Sequence, residues 1–557
     1  LTAYPSHDYN AGHTPGSGYR QNCGGPARNT IGVCRPDRRF ITSEWLALFA
    51  ETANGKEATV KQISRRKLLA AGAGAAAFTF VPSRAIGGDG VTPPSEKMNL
   101  AFAGIGIRGA EDLRQLAALQ QNVVAVCDVD WSAPLTGRGG FGRGAVATAN
   151  NYPNAKRYTD YRRMLEEQDK NIDGVVIATP DHTHAVIALQ AMKMKKHVYV
   201  EKNMCRTVEE VRRMIAFSKK YKVIGQVGNQ GHSSEDIRLI VEWFRDGTIG
   251  DVKTVHVFHK DTASSPRALQ QTGLDVSYEN IPKLLEQEHA TPEGLHWDLF
   301  LGPAKVRPYS PIYHPNRWRA WVDFGTGNPG DYIDHLLDPA AWALNLGYPT
   351  HVEAQPEKGY DWKTNHEVYP WSGVIKWSFP ARGKMPPVEV FFHYGPNRDM
   401  EVPKPPGWKE GADKILAQGG GFMFGSKGAI SWGALYASKP LIASKDLSLD
   451  VSYGTPEIVR LWPPELNREY KRPAPSLPRV YNHWADWVES VKAGKQPGSS
   501  LEYGGLMSEL AIIGNAANTE PGKTLEYDGK KGRFKNSEEA NKMAVTRTYR
   551  PGWELPA

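Results

Sequence analysis

The sequence predicts an α/β Rossmann dinucleotide-binding domain followed by an α+β domain on an open, mostly antiparallel sheet, and three observations carry that expectation. Between residues 98 and 227 short apolar runs alternate with amphipathic helical stretches, the pattern of repeated β/α units in a covered parallel sheet. The first of those runs passes directly into Gly104-Ile105-Gly106-Ile107-Arg108-Gly109, a glycine-rich turn between a strand and a helix. Past Val252 the texture changes. Strands such as 252–258 and 388–393 are separated by long loops rich in Pro, Trp and Tyr, which fits an antiparallel sheet.

In chain order, residues 1–85 stand apart. They hold eleven Lys/Arg against five Asp/Glu, so of the formal +8 only +2 belongs to the rest of the chain. A nearly neutral body lacks the basic face that a phosphate backbone requires, and no nucleic-acid partner is expected. Residues 1–62 are rich in Gly, Pro, Asn and Ser with little periodicity. Ser64-Arg65-Arg66-Lys67-Leu68-Leu69 then sets paired arginines before an Ala/Gly-rich apolar run, and Ser83-Arg84-Ala85 adds a small-x-small pattern. This segment resembles a twin-arginine (Tat) export leader, which implies a periplasmic or cell-envelope protein and leaves 1–85 outside the fold. The apolar run 68–81 is shorter than the roughly 20 residues of a membrane span, so no stable span is expected in the mature protein. Cys23, Cys34, Cys127 and Cys205 have no CxxC spacing, and neither a metal site nor a disulfide framework is expected.

The Rossmann domain is expected over 96–228. A strand at 98–103 leads through the glycine turn into a helix carrying Leu113, Leu116 and Leu119 on one face, and a second strand at 123–126 ends in Cys127-Asp128. Strand, Gly-x-Gly-x-x-Gly, helix, strand and acid in that order form a dinucleotide fingerprint. Gly104, Gly106 and Gly109 allow the tight turn and close approach of backbone to a pyrophosphate. The helix start at Ile107 and Arg108 offers free N–H groups to it, and Asp128 can accept from a ribose 2′-hydroxyl. An acid at that position repels a 2′-phosphate, so NAD is favoured over NADP, although Arg138 and Arg143 could meet one. Residues 136–153 read as a surface loop. Further units follow: helix 161–168, strand 173–179, helix 182–195, strand 197–200, helix 207–221 and strand 223–227.

The second domain is expected over 229–540, with helices 481–491 and 506–517 returning to the first domain. Chemistry-bearing residues gather at strand ends, where α/β enzymes place their sites: Pro180-Asp181-His182-Thr183-His184 after one strand, Glu201-Lys202 after the next. Downstream, Gly325-Thr326-Gly327-Asn328-Pro329-Gly330 leads into Asp331 and His335, four apart and so on one helix face. The same spacing groups Asp334 with Asp338. Tyr309, Tyr313, His314, Trp318, Trp321 and Trp342 surround this segment in sequence and could stack on sugar rings or fill the core. His182 is expected at the surface.

Taken in order, GxGxxG, the acid after the second strand, P-x-x-x-H, E-K and G-x-x-x-D-x-x-x-H resemble the Gfo/Idh/MocA oxidoreductases over residues 99–346. Three positions depart from the pattern: Asn203 stands in place of Pro, Asp181 of Asn and Ile333 of Gly. The resemblance implies a catalytic set of Lys202, His335 and Asp331. It places Thr179, Pro180, His184 and Glu201 with Lys202 around the nucleotide, His184 more as a structural than a catalytic group. It also implies that the second domain serves substrate binding and oligomerisation, with a homo-oligomer paired through its open sheet. The expected activity is nicotinamide-dependent oxidoreduction of a sugar, polyol or glycoside. The alternative is a redox-neutral glycoside hydrolase or lyase with tightly bound NAD, a retention that suits export of a folded protein.

Overall fold

The computed structural model describes residues 96–132, 144–260, 276–315, 317–395, 402–408, 419–433, 459–471, 474–480 and 482–557. The expected leader, Arg138 and Arg143 lie outside these residues.

The first sheet is parallel, with strand order β3-β2-β1-β4-β5-β6. Its strands are β1 (Asn99–Ala103), β2 (Asn122–Cys127), β3 (Lys156–Tyr158), β4 (Gly174–Ile177), β5 (His197–Glu201) and β6 (Gly225–Gly228). Leu100, Phe102, Val175, Val176, Val198 and Tyr199 are buried on both faces, so the central strands read as continuous apolar runs. The helices between them are α1 (Arg108–Ala118), α2 (Ala145–Asn150), α3 (Tyr161–Gln168), α4 (Asp181–Lys193) and α5 (Val208–Tyr221). Thr207 and Glu210 form a reciprocal capping box that starts α5.

Two elements escaped the sequence. β3 is a three-residue edge strand, KRY, with no apolar alternation to reveal it. Part of the expected surface loop is α2, whose Ala145 and Ala149 pack into the core beside Phe102 and Leu113.

The second sheet runs β13-β12-β11-β7-β10-β9-β8-β14-β15. Its strands are β7 (Val252–His259), β8 (His351–Pro356), β9 (Gly373–Phe379), β10 (Val388–Tyr394), β11 (Gly419–Gly425), β12 (Ala429–Gly433), β13 (Val459–Trp462), β14 (Leu525–Asp528) and β15 (Arg533–Phe534). Pairing is antiparallel except between β7 and β10, so the sheet is mixed at its centre. Helices α6 (Glu235–Arg245), α7 (Gly327–Leu336) and α8 (Asp338–Ala343) precede most of these strands. Trp432 donates to Leu336 O across 2.9 Å, tying α7 to the sheet.

Two helices late in the chain lie against the first sheet. From α9 (His483–Ala493), Trp487 is fully buried among Phe102, Val176 and Tyr199, and Trp484 donates to Asp112 at 3.0 Å. The next, α10 (Leu501–Ala517), crosses β6 so closely that a Cβ on Gly225 would lie 2.5 Å from Leu501. Beyond residue 540 the chain continues through α11 (Glu538–Ala544) to contacts on both domains.

Candidate active site

The C-terminal ends of β1, β2, β4 and β5 open onto a cleft of about 470 Å³, a size suited to a small-molecule site. Across from them stand Phe300, His314, Trp318 and Arg319, together with Asp331, Tyr332 and His335 of α7.

The glycine turn is shaped for close approach. Gly104 has φ +80°, and a Cβ there would sit 2.7 Å from the Ala178 backbone. Gly106 has open space where its Cβ would be, directly before the start of α1. That helix has no side-chain N-cap, so its first-turn N–H groups remain for a ligand. Gly109 does not line the cleft. Its missing Cβ clears Gly104 O, so this glycine lets the helix pack closely against the turn.

Asp128 accepts from the Ile105 N–H at 2.8 Å through Oδ2 and from the Asp130 N–H at 3.0 Å through Oδ1, and it lines the cleft. Burial pushes its carboxyl up, against those two bonds. Open space at Gly106, free amides at α1 and an acid one strand over fit the pyrophosphate and ribose of a dinucleotide.

Arg108 also lines the cleft. Burial works against its charge, yet Glu201 first and then Asp112 hold the guanidinium above its usual range. Glu201 is buried and accepts from Gln230 at 2.6 Å.

Thr179 and Pro180 line the cleft, but His184 lies behind them. Its ring is buried between Thr179 O (2.7 Å from Nε2) and Asn203 O (2.9 Å from Nδ1). His184 therefore joins the loops after β4 and β5 from behind the residues that line the cleft. The Lys202–Asn203 peptide is cis.

Lys202 Nζ meets Asp331 Oδ1 at 3.1 Å, and Arg319 Nε meets Asp331 Oδ2 at 3.1 Å, so one carboxylate holds two cations. His335 follows one turn later and faces the same cleft. Burial, then Lys202 and Arg108, hold its imidazole well below the usual histidine range, which keeps it neutral at neutral pH. Asp181 accepts from the Thr326 hydroxyl, and burial followed by Asp331 raises its carboxyl to about 7. Asp334 is fully buried, and burial lifts its carboxyl far above the carboxylate range although Lys202 opposes the shift.

Other expectations fared unevenly. Helix α7 stops at Leu336, so Asp338 begins α8 and pairs instead with His232 at 3.0 Å and with Tyr503. His182 is buried, not superficial: its Nε2 meets Phe300 O at 2.8 Å, and burial lowers it to about 3. Of the six aromatic candidates only His314 and Trp318 line the cleft. Tyr309, Tyr313 and Trp321 fill the core, and Trp342 stacks on His232 elsewhere. Sequence reasoning missed Arg319, Tyr332, Phe300 and Trp553, all of which line the cleft. Arg319 and Tyr332 sit beside singled-out residues, whereas Trp553 carried no signal.

Among the described residues no cluster of His, Cys, Asp and Glu could hold a metal ion, and no helix is long and apolar enough to cross a membrane.

Residues 98–229 match the Gfo/Idh/MocA oxidoreductase family, NAD-binding Rossmann fold, and residues 265–358 match that family's C-terminal alpha/beta domain. Inositol 2-dehydrogenase of Salmonella typhimurium is 30% identical over 173 residues, which are 30% of this chain and 48% of that protein. The chain thus spans about half the length of that relative. Glycosyl hydrolase family 109 protein 1 of Shewanella sp. (strain MR-4) is 28% identical over 169 residues, 29% of this chain and 35% of that one. Among solved structures, an aldose-aldose oxidoreductase from Caulobacter crescentus in complex with glycerol aligns with 77% of this chain and 100% of its own. The TM-score is 0.48 and the identity 17%.

Proposed function

We propose that this chain, which carries the Gfo/Idh/MocA NAD-binding and C-terminal domains, is an NAD-dependent oxidoreductase of a sugar, polyol or glycoside. The observation that carries this reading is the convergence of Lys202, Asp331 and His335 across one cleft from Gly106 and Asp128. Gly104–Arg108 and Asp128 would hold the pyrophosphate and the adenosine ribose; Thr179, Pro180, Glu201 and Lys202 flank the nicotinamide end. A bound nicotinamide supplies the hydride acceptor for an alcohol carbon. Neutral His335 takes the hydroxyl proton as that carbon becomes a carbonyl, as a general base must. Lys202 places positive charge where alkoxide character develops. Asp331 fixes both Lys202 and Arg319, so the cation is oriented before substrate arrives.

A second reading, the redox-neutral glycoside hydrolase or lyase, is favoured by the resemblance to glycosyl hydrolase family 109. It uses the same residues but returns the hydride after the aglycone leaves. Export through a Tat leader and retention of the nucleotide belong to this proposal as well.

The test is to supply purified enzyme with NAD and panels of aldoses, inositols and aryl glycosides. Net NAD reduction by a sugar or polyol supports the dehydrogenase. Aglycone release without net reduction supports the second reading. Neither signal across the panels, in protein that binds NAD, counts against both.

A further inference from the structure

Residues 545–557 form a strap that links the Rossmann domain to the second domain, and among them Trp553 lines the cleft. On the Rossmann side Arg547 pairs with Glu210 of α5 at 2.8 Å and donates to His182 O, and Tyr549 donates to Glu210 at 2.9 Å. Arg550 then reaches the other side: its Nε donates to Gly302 O at 2.9 Å, its Nη2 to Asp298 O at 2.8 Å, and its Nη1 pairs with the Asp298 carboxylate. A turn closed by the Trp553 N–H on Arg550 O (3.0 Å) brings the indole back to the cleft. There it is 6% exposed, with the Arg162 guanidinium 4.3 Å from its ring centre and the Tyr161 ring 6.0 Å away.

Strand order shows which end of the cleft this is. Tyr161 and Arg162 follow β3, beside β2 and Asp128, whereas Lys202 follows β5 on the far side of the glycine turn. With a pyrophosphate at α1 and a ribose on Asp128, the adenosine lies toward β2 and β3 and the nicotinamide toward β5.

We propose that Trp553 is a nucleotide-binding residue, the wall of the adenosine pocket, and that the strap carrying it retains the dinucleotide by tying the two domains together. This rests on the nucleotide reading of the cleft. The flat indole suits an adenine face, and the Arg162 guanidinium over the ring, itself paired with Asp160 at 2.7 Å, holds the indole in place.

The experiment uses full-length protein stripped of nucleotide, as wild type, Trp553→Ala, Trp553→Phe and Arg550→Ala. NAD, ADP-ribose and nicotinamide mononucleotide are titrated calorimetrically, and NAD release is timed by stopped flow. Trp553→Ala should weaken NAD and ADP-ribose by about 10-fold or more, the scale of one lost base stack. Nicotinamide mononucleotide should be unaffected, and Trp553→Phe should recover most of the loss. Arg550→Ala keeps the indole and should speed NAD release several-fold, which reads the strap even where Trp553→Ala does not fold. Wild-type affinity for ADP-ribose in Trp553→Ala, or an unchanged release rate in Arg550→Ala, overturns the proposal alone. A wild type that binds neither NAD nor ADP-ribose overturns the nucleotide reading and the proposal with it.

Discussion

Replacing Asp128 separates nucleotide selection from turn stability. The side chain serves both, because its two oxygens accept the Ile105 and Asp130 N–H groups at 2.8 and 3.0 Å and the residue lines the cleft. In Asp128→Asn one oxygen still accepts, but the amide NH2 confronts the other N–H; in Asp128→Ala both donors lose their partner. A hydrogen bond to a charged acceptor is worth about 1.5–3 kcal/mol, so loss of one ribose bond should weaken NAD about 10- to 150-fold. For NADP the sign reverses. Two like charges 4 Å apart repel by up to about 4 kcal/mol at an effective dielectric near 20, and removing the carboxylate lifts that penalty from the 2′-phosphate. The NAD-to-NADP affinity ratio should therefore fall by at least about 10²-fold in Asp128→Ala. Calorimetric titration of stripped protein with both nucleotides measures it, and thermal melts show how much the turn itself has loosened. An unchanged ratio, with NAD bound as in wild type, would refute the ribose assignment.

Lys202→Met should lower kcat/KM by about 10²–10³-fold, the scale of one oriented charge at a developing oxyanion. Its NAD affinity should stay within about threefold, since the substitution leaves the pyrophosphate and ribose contacts alone; a variant with full turnover would remove Lys202 from the mechanism. His335→Ala should cost about 10²-fold or more. Because the His335 pKa is depressed, its basic form persists below pH 6.5, so wild-type kcat/KM should hold level from pH 7 to 6; an acid limb at 6.5 that disappears in His335→Ala would contradict this. Asp181 shows the opposite sign. Its carboxyl is raised to about 7 in the fold, so the stability it contributes is complete below about pH 4 and is lost as pH rises through 7. Within that window each pH unit should cost about 1.4 kcal/mol that Asp181→Asn does not lose. Urea midpoints of the two proteins at pH 5 and 7.5 test it, and parallel pH responses would dismiss the shift.

Legibility in the sequence followed physical cause. The strands β1, β4 and β5 announced themselves because both faces are buried and the runs are continuously apolar. The glycine turn was readable because steric constraint at Gly104 leaves no other residue type comfortable there. Asp331 and His335 were readable because helical spacing is local. What stayed hidden depends on contacts distant in sequence. His182 looked superficial at the head of a helix, yet Phe300 and Phe324 from the other domain cover it. Ala145 and Ala149 form a buried helix only because Phe102 and Leu113 are there to receive them. Trp553 lies past every periodic segment, and only the folded path of the strap brings it to the cleft. Asp338 was misplaced with Asp334 because the break in α7 at Leu336 leaves no mark in the pattern of apolar positions.

The central claim is that the cleft between Gly106, Asp128 and Lys202 holds a nicotinamide dinucleotide. Its most direct test is to denature protein purified without added cofactor, identify the released small molecules by mass spectrometry, and titrate stripped protein with NAD. The account predicts NAD or NADH at close to one per chain, or saturable NAD binding where none co-purifies. Protein that releases no nucleotide and binds no NAD would contradict it.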